Sequence, residues 1–480
     1  MQKILIYLFL FCGFLNHLYA QESLKTTVID QETGKPLPFV HAYVKDTQLG
    51  TYSNVNGRVI LTSEVLTRSD SIIFSCIGFQ QLSLPFGEVA DTVYLTIEPL
   101  LLKQLTISAK REKFDAQQFV KAAIKEIPDN HAIEEDIVGF YRQLHYRSPI
   151  YHADDDRSKY TVAKADFKTI QYLRLIESYF KYRTAQKLTE VYQVRRSDDY
   201  RKYKYTYDTE RGFAKFRLLE RTNVEDPQLA TEKEAAKYSV AGFLTNDPIL
   251  SFQEKVIQGD ARFKQIASFS YANLNDEFTK RHSFKLEEIT YHEGREIYVI
   301  KILPNSKSYA YSTKVYKKHS FIPIGRLYID SETLSFERIE YRYIQNPKAK
   351  GWLLGAAYVE LGRETLYSDT YIYRRINGKM HLAFAERNQM DEIVNTDFLS
   401  ELGDAPAFHY MTRQFVRSEV SDQAFDGYSS IYAPYKYNAE FWKVQNFVYQ
   451  DEKEEQKIVE DLEVKGTSLL DQFKKNGISQ

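Results

Sequence analysis

The residue types that could carry chemistry are few and scattered in this 480-residue chain, which has ten histidines and two cysteines. His131 and Glu134 stand three apart, a spacing at which two side chains can share a zinc ion, and His282 lies downstream as a third ligand. In an acid-rich chain with this many histidines, about one such match is expected by chance. His292-Glu293 is a second lure, but Glu296 stands where the zinc-protease helix motif needs its second histidine. Glu293-Gly294 also reads as a hairpin turn rather than a helix. His145, His152 and the run Asp154-Asp155-Asp156 could surround a metal if the chain between Tyr146 and Tyr151 bends back; a loop of solvated acids explains the same residues. No G-x-S-x-G and no glycine-rich phosphate loop is present. Cys76 is flanked by Ile72, Phe74 and Ile77, so it reads as an inert core thiol with a raised pKa. No catalytic, cofactor-binding or metal-ligating residue is assigned on these grounds, and no cofactor is implied.

The elements that must position any site begin after a secretory signal. Lys3 is its positive flank, Ile4 to Leu15 its apolar run, and Leu18-Tyr19-Ala20 its small-residue end, predicting cleavage before Gln21. The run is about five to eight residues too short for a spanning helix. Phe9-Leu10-Phe11 lacks the small residues that would make Cys12 a lipid anchor. The mature chain then keeps Cys76 alone, which rules out an internal disulfide. A net charge of −1 argues against nucleic acid as a partner. Tyrosine is in excess, 37 beside 2 tryptophans, and tyrosine suits half-wet strands, so a β-rich protein is expected.

Residues 26–79 carry the most specific local pattern. Alternating segments flank Thr33-Gly34-Lys35-Pro36, further turns fall at Gly50 and Asn56-Gly57, and Ser71–Phe79 closes the unit with an apolar strand. The physical reading is a small antiparallel β-sandwich. Asp30, Thr33, Gly34, Pro36, Leu37, Pro38, Val44, Gly50, Thr51, Asn56, Gly57, Phe74, Ser75, Gly78 and Phe79 resemble the pattern of the carboxypeptidase regulatory-like domain, a transthyretin-like sandwich. The resemblance covers about residues 24–107. It implies a fold and an exported protein of a Gram-negative cell envelope. It carries over no catalytic residue, because the matching positions are turn formers and core. It also implies the wrong domain order for a zinc carboxypeptidase, in which the regulatory-like domain follows the catalytic one.

Beyond it, Leu100–Arg111 reads as a last strand and a linker. Asp115 then caps a helix with Gln118 three residues on; Ala116, Phe119, Val120, Ala123, Ile124 and Ile127 share a face, and Pro128 ends it. Gly139-Phe140-Tyr141-Arg142 opens a sheet. Tyr203, Tyr205 and Tyr207 alternate with Lys202, Lys204 and Thr206, as on an amphipathic strand. Asp247-Pro248 starts a short helix with Phe252 and Val256 facing inward. From Phe284 to about Arg387 strands join through tight turns at Glu293-Gly294, Ser331-Glu332 and Asn377-Gly378, the signature of a meander. In the strand after Ser331 the apolar residues change face near Phe336 and Glu337, which predicts a bulge. Ile297 and Val299 alternate with Tyr298, Ile300 and Ile302, which predicts a strand with two buried faces. One face is expected to pack on the Asp115–Ile127 helix and the other to line a concave surface. Tyr437, Phe441 and Trp442 read as an anchor before a charged helix over Asp451–Lys465 and a last turn from Ser468. This ending is similar to the C-termini of exported, sandwich-headed proteins.

The expected fold class is mainly β with α+β character: signal peptide over 1–20, sandwich over 21–107, and over 108–480 a larger α+β domain with a curved antiparallel sheet. The expected function is non-enzymatic binding or scaffolding in the periplasm or at the outer membrane, with other envelope proteins, glycans or lipids as partners and no transmembrane helix after signal cleavage. A curved sheet with helices on one side resembles periplasmic lipid or lipoprotein carriers, so ligand carriage is the alternative. An outer-membrane β-barrel fits the alternation but not the charged C-terminal helix. A metal-dependent hydrolase would need clustered ligands that the sequence does not supply.

Overall fold

The computed structural model describes residues 23–47, 49–62, 66, 70–99, 114–149, 151–152, 159–161, 170–185, 188–197, 203–208, 213–218, 243–244, 247–250, 274–305, 321–345, 352–354, 357–360, 365–393, 407–418, 437–443, 445, 447–463 and 466–475. The chain is mainly β with few helices, and it divides into two compact units.

The first unit takes Met1–Cys76, Gln80–Ile97 and Asn438–Tyr449, described from Ser23 onward. One sheet holds β1 (Ser23–Asp30) between β4 (Arg58–Thr62) and β7 (Thr92–Leu95). The other runs β3 (Gly50–Tyr52), β2 (His41–Val44), β5 (Ser71–Ser75), β6 (Leu82–Pro85). Alternation does the sorting: Leu24, Val28, Val59 and Leu61 from the first sheet, and Ala42, Val44, Ile72 and Phe74 from the second, are buried. Two details depart from expectation. β1 and β7 run parallel, which a long crossover permits and a hairpin does not. The unit also includes chain from the far C-terminus: Thr51 Oγ1 donates to Phe447 O at 3.0 Å and Asn54 Nδ2 to Tyr449 O at 3.0 Å. Trp442 stacks on Phe447 at 6.1 Å, and both are buried, as the anchor reading of Trp442 implied. Cys76 is buried just past the end of β5.

The second unit is built on one ten-stranded antiparallel sheet. β8 (Asp136–Pro149) does open it in chain order. The small strands β9 (Tyr151–His152) and β10 (Lys159–Thr161) follow, then β11 (Gln171–Arg183) and β12 (Leu188–Arg196). β13 (Tyr203–Asp208) and β14 (Phe213–Leu218) form a separate hairpin. Next come β15 (His282–His292), β16 (Arg295–Pro304), β17 (Phe321–Asp330) and β18 (Phe336–Gln345). β19 (Trp352–Leu354) and β20 (Ala357–Glu360) join β9 and β10 in a small sheet, and β21 (Thr365–Ile376), β22 (Lys379–Ile393) and β23 (Ala407–Arg417) complete the set. The large sheet's order is β12-β11-β8-β23-β22-β21-β18-β17-β16-β15. It therefore extends well beyond the expected 284–387 meander, because β8, β11, β12 and β23 join the same ladder.

The turns follow their chemistry. Glu293 and Gly294 have φ of 53° and 75°, and Asn377 and Gly378 of 48° and 88°, the left-handed pairs that tight two-residue hairpins require. Between β17 and β18, Asp330 Oδ1 accepts from the Glu332 and Thr333 amides at 3.0 and 2.8 Å. The expected bulge is present: Ile329 pairs with Phe336 and Tyr328 with Arg338, leaving Glu337 extra. Phe336, Ile339 and Tyr341 all reach the same core as a result.

The helix of the second unit spans Ala116–Lys125, with Asp115 accepting from the Gln117 and Gln118 amides. It stops two residues short of expectation. Pro128 opens a separate turn, Ile127–Asn130, because a proline lacking its N–H is tolerated at a helix start and not in the interior. Val120, Ala123 and Ile127 enter the core of the sheet's inner face, and Phe119 meets Tyr298 at 5.2 Å. Ile297, Val299, Ile300 and Ile302 are all buried, as two apolar faces required, although β16 lies next to the edge strand β15. Pro248–Leu250 form a turn organised by the Asp247 carboxylate, and the rest of the expected short helix lies outside the described residues. Phe252, Val256 and Leu100–Arg111 lie outside the described residues. The C-terminal helix covers Glu452–Leu462, capped by Asp451, and packs Ile458 and Leu462 on Leu144, Tyr172 and Leu175.

Candidate functional site

Pairing register places one residue from every strand in a line across the large sheet. One line on the inner face reads Phe284, Ile302, Gly325, Tyr341, Asp369, Arg387, Arg413, Gln143, Ile176, Arg196. The flanking inner line, from Ile300 through Leu327, Ile339, Tyr371, Ala385 and Phe415 to Tyr141, is apolar or aromatic. A four-residue polar centre thus sits in an apolar frame. Gly325 keeps this line closely packed, since a Cβ there would meet Glu340 O at 2.1 Å.

All four are almost fully buried: Asp369 and Gln143 are 1% exposed, Arg387 and Arg413 4%. Arg387 binds Asp369 with two bonds, Nε to Oδ1 at 2.8 Å and Nη2 to Oδ2 at 2.7 Å. Tyr371 donates to Asp369 Oδ2 at 3.0 Å and accepts from Arg387 Nη2 at 3.0 Å. Charges this deep persist only when paired and hydrogen-bonded, and a bidentate guanidinium–carboxylate pair is the geometry that achieves it. Both guanidinium groups also stand over the ring of Phe243, Arg413 at 5.6 Å and Arg387 at 5.9 Å. On β8 a polar chain runs along the same face: Tyr141 OH donates to Gln143 Oε1 at 2.5 Å, and Gln143 Nε2 lies 2.5 Å from His145 Nε2.

Asp247 joins this centre from outside the sheet. Its carboxylate accepts from the Ile249 and Leu250 amides at 2.7 and 2.9 Å, and from Tyr373 OH at 3.1 Å to each oxygen. Burial pushes its pKa up to about 7, against the lowering effect of those bonds. Burial likewise holds the Tyr371 and Tyr373 hydroxyls well above their ordinary range. Asp247 can therefore exchange a proton near neutral pH while the tyrosines stay neutral donors.

The residues singled out from sequence are not brought together as a metal site. His131 Nε2 accepts from the Phe336 amide at 3.1 Å, so its proton is on Nδ1, and burial lowers its pKa to about 3. His282 donates from Nδ1 to Phe278 O and accepts from Tyr341 OH, each at 2.9 Å, and burial lowers its pKa to about 4. Both are core histidines; His282 has both ring nitrogens engaged, whereas the buried Nδ1 of His131 has no hydrogen-bond partner among the described residues, and Glu134 is exposed. His292 and Glu293 sit at the β15–β16 hairpin as read. Desolvation opposes protonation of His292, but the hydrogen bond and charge of Glu337 prevail and raise its pKa. Arg295 reaches Asp330 at 2.9 Å and also pairs with Glu337. His145 lies on β8; the His152 side chain and Asp154–Asp156 fall outside the described residues. Among the described residues no group of three His, Cys, Asp or Glu could hold a metal ion. No helix among them is long and apolar enough to cross a membrane.

Sequence reading passed over Asp369, Arg387, Arg413 and Gln143. The available signal was phase: each occupies the inward position of an otherwise apolar alternation, as in Asp369-x-Tyr371-x-Tyr373 and Met411-x-Arg413-x-Phe415.

No family model and no curated protein matches this chain. Solved structures do match at low similarity. A LolA superfamily protein from Nitrosomonas europaea is 10% identical, with 64% of this chain and 96% of that one covered and a TM-score of 0.19. A DUF1329 family protein from Desulfovibrio piger is 8% identical, covering 65% and 96%, with a TM-score of 0.21. A protein domain described as outer membrane lipoprotein-sorting, from Vibrio parahaemolyticus, is 10% identical, covering 65% and 94%, with a TM-score of 0.21. Scores at this level carry no argument about fold or function.

Proposed function

We propose that this chain is a non-enzymatic, exported binding protein of the cell envelope, and that the inner face of the ten-stranded sheet is its binding surface. The observation that carries the reading is the polar centre Asp369–Arg387–Arg413–Gln143 set within aromatic and aliphatic rows. A few fixed polar groups in an apolar frame are the composition of ligand sites. Export rests on the sequence of residues 1–20, and the sandwich head is taken as a carboxypeptidase regulatory-like domain on the residue pattern given above. Burial moves His131, His282, Tyr371 and Tyr373 away from neutral pH, which weakens them as proton-transfer groups, and Asp247, raised to about 7, is held by Tyr373 and two backbone amides.

A second reading, scaffolding, is favoured by a separate observation. Tyr141, Phe180, Phe243, Phe336, Tyr371 and Phe415 are all essentially unexposed, so side chains fill this face. Titrating the mature chain with an apolar fluorescent probe decides between the two. Saturable uptake that is lost in Phe415→Asp but kept in the outer-face variant Arg326→Gln supports binding. No uptake by a folded wild type leaves scaffolding as the function.

A further inference from the structure

Three connections of the second unit meet beside the start of β22: the Ile127–Asn130 turn with His131 after it, the β17–β18 turn, and the β21–β22 hairpin. Asn130 Nδ2 donates to Thr333 O at 2.6 Å and the Phe336 amide to His131 Nε2 at 3.1 Å. Lys379 Nζ donates to Pro128 O at 3.3 Å, and His131 forms a β-bridge with Met380.

Donors outnumber acceptors where these connections meet. His131 is 1% exposed, its Nε2 is taken by the Phe336 amide, and its buried Nδ1 has no hydrogen-bond partner among the described residues. Arg375, half-buried on the hairpin, is the second case. Its Nη2 donates to Ser335 Oγ at 2.9 Å and Thr333 Oγ1 at 3.4 Å, and its Nη1 to Gly378 O at 3.2 Å. Those acceptors are all neutral, and its buried Nε has no partner among the described residues. Arg142, Arg295, Arg387 and Arg417 each meet a carboxylate. Neither Arg375 nor Lys379 forms an ion pair among the described residues, although Asp129 and Glu332 stand exposed in the same turns. Glu135 is already held by His381 at 2.7 Å and Arg417 at 2.8 Å. After burial, the influences that lower the His131 pKa are the charges of Arg375, His381 and Lys379, all basic. A buried donor without an acceptor, beside cations without a counter-charge, calls for a partner carrying negative oxygen.

We propose that this end of the sheet binds a small oxyanion, the carboxylate or phosphoryl group of a small molecule, with Arg375 and Lys379 supplying the charge and His131 Nδ1–H a neutral donor. Arg375 keeps its Nη1 bond to Gly378 and exchanges two hydroxyl contacts for charged oxygens on its Nε–Nη2 edge, the fork that suits both groups. The site shares no residue with the polar centre of the inner face and goes beyond the binding reading above. A single buried water is the competing partner for the same two donors.

The test follows the melting temperature of the intact mature chain in inorganic phosphate, acetate or sodium chloride at matched ionic strength. Phosphate or acetate should raise it saturably where chloride does not, and the anion that saturates at the lower concentration identifies the class. Arg375→Gln should weaken that Kd by about tenfold, as loss of a charged bidentate donor does. Lys379→Gln, at an exposed position, should weaken it by about threefold. Arg326→Gln, which removes a cation from the outer face of the same sheet, should leave it unchanged. If Arg375→Gln does not fold, the comparison of Lys379→Gln with Arg326→Gln decides. No saturable rise beyond that in chloride, or equal Kd values in Lys379→Gln and Arg326→Gln, overturns the proposal and leaves a buried water as the partner of His131 and Arg375. Uptake of the apolar probe is read separately, so the two readings fail independently.

Discussion

The two faces of the large sheet use the same ten strands to opposite ends. One residue from the inner line described above, the outer face reads Lys285, Lys301, Arg326, Glu340, Thr370, Glu386, Gln414, Arg142, Glu177, Arg195. That line is polar from edge to edge: three cations at the β15 end are followed by Glu340 and Glu386, and several of its charges meet opposite charges nearby. Glu287 accepts from Arg326 at 2.6 Å and from Lys301 at 3.1 Å in a half-exposed setting. Toward β8 the line sinks beneath the C-terminal helix, where Arg142 meets Glu455 at 2.8 Å through both Nη atoms and Glu177 at 3.4 Å. Polar residues on the outer face are thus a solvated surface that becomes a docking seam. On the inner face the same residue types form an island in an apolar core. The difference teaches that a charge is informative where its neighbours cannot hydrate it.

The largest effect should separate the faces outright. Asp369→Asn leaves Arg387 buried without its carboxylate and should cost about 3–5 kcal/mol, read as a lower denaturation midpoint. Arg326→Gln on the outer face should cost no more than about 1 kcal/mol by the same measurement. Equal losses would mean that the two lines are not electrostatically distinct.

A second pair of variants tests how far burial extends to both sides near the sheet edge. Ile300→Asp and Val299→Asp place a carboxylate on opposite faces of β16, at positions 0% and 3% exposed. Each should lower stability by several kcal/mol, roughly the cost of an unpaired buried charge short of neutralisation. A tolerated Val299→Asp would show that only the inner face is closed.

The histidines sharpen the comparison through pH. His131 and His282 have folded pKa values depressed to about 3 and about 4, below the ordinary 6.5. In that window the unfolded chain binds more protons, so stability is full above about 6.5 and falls as the pH drops toward those values. His292, at the hairpin, has a raised folded pKa, so its contribution is present below about 6.5 and is lost as the pH rises through the folded value. His282→Gln should therefore lessen acid sensitivity, while His292→Gln should lower stability at pH 6 more than at pH 9. The reverse ordering in pH-dependent melts would refute the assignment. Asp247 acts in its own window: with a pKa raised from 3.8 to about 7, it makes stability fall as pH rises between those values. Asp247→Asn should flatten that slope.

The smallest expected effect concerns the first unit. A 21–107 fragment keeps both sheets but loses the Phe447 and Tyr449 carbonyls that receive Thr51 and Asn54. Adding a 436–450 peptide should raise its melting temperature by a few degrees, the shift that about 1 kcal/mol produces in a domain of this size. No response would show that the C-terminal segment contributes nothing to the unit's stability.

What the chain determined by itself was local. Asn377-Gly378 and Glu293-Gly294 were legible because few residue pairs tolerate consecutive left-handed angles. The Asp115 cap was legible because an N-cap carboxylate satisfies amides two and three residues away. The bulge at Glu337 could be read from a shift in apolar phase within one strand. Tertiary structure decided everything that depends on register between distant strands. Asp369, Arg387, Arg413 and Gln143 come from four strands spread over more than 260 positions on the order of the whole second unit, and no spacing rule connects them. The same holds for Trp442 and Phe447 in the first unit, since a segment with few turns of its own takes its place from the surface that buries it. Local sequence sets backbone angles and face; which face meets which is settled by the burial of the whole chain.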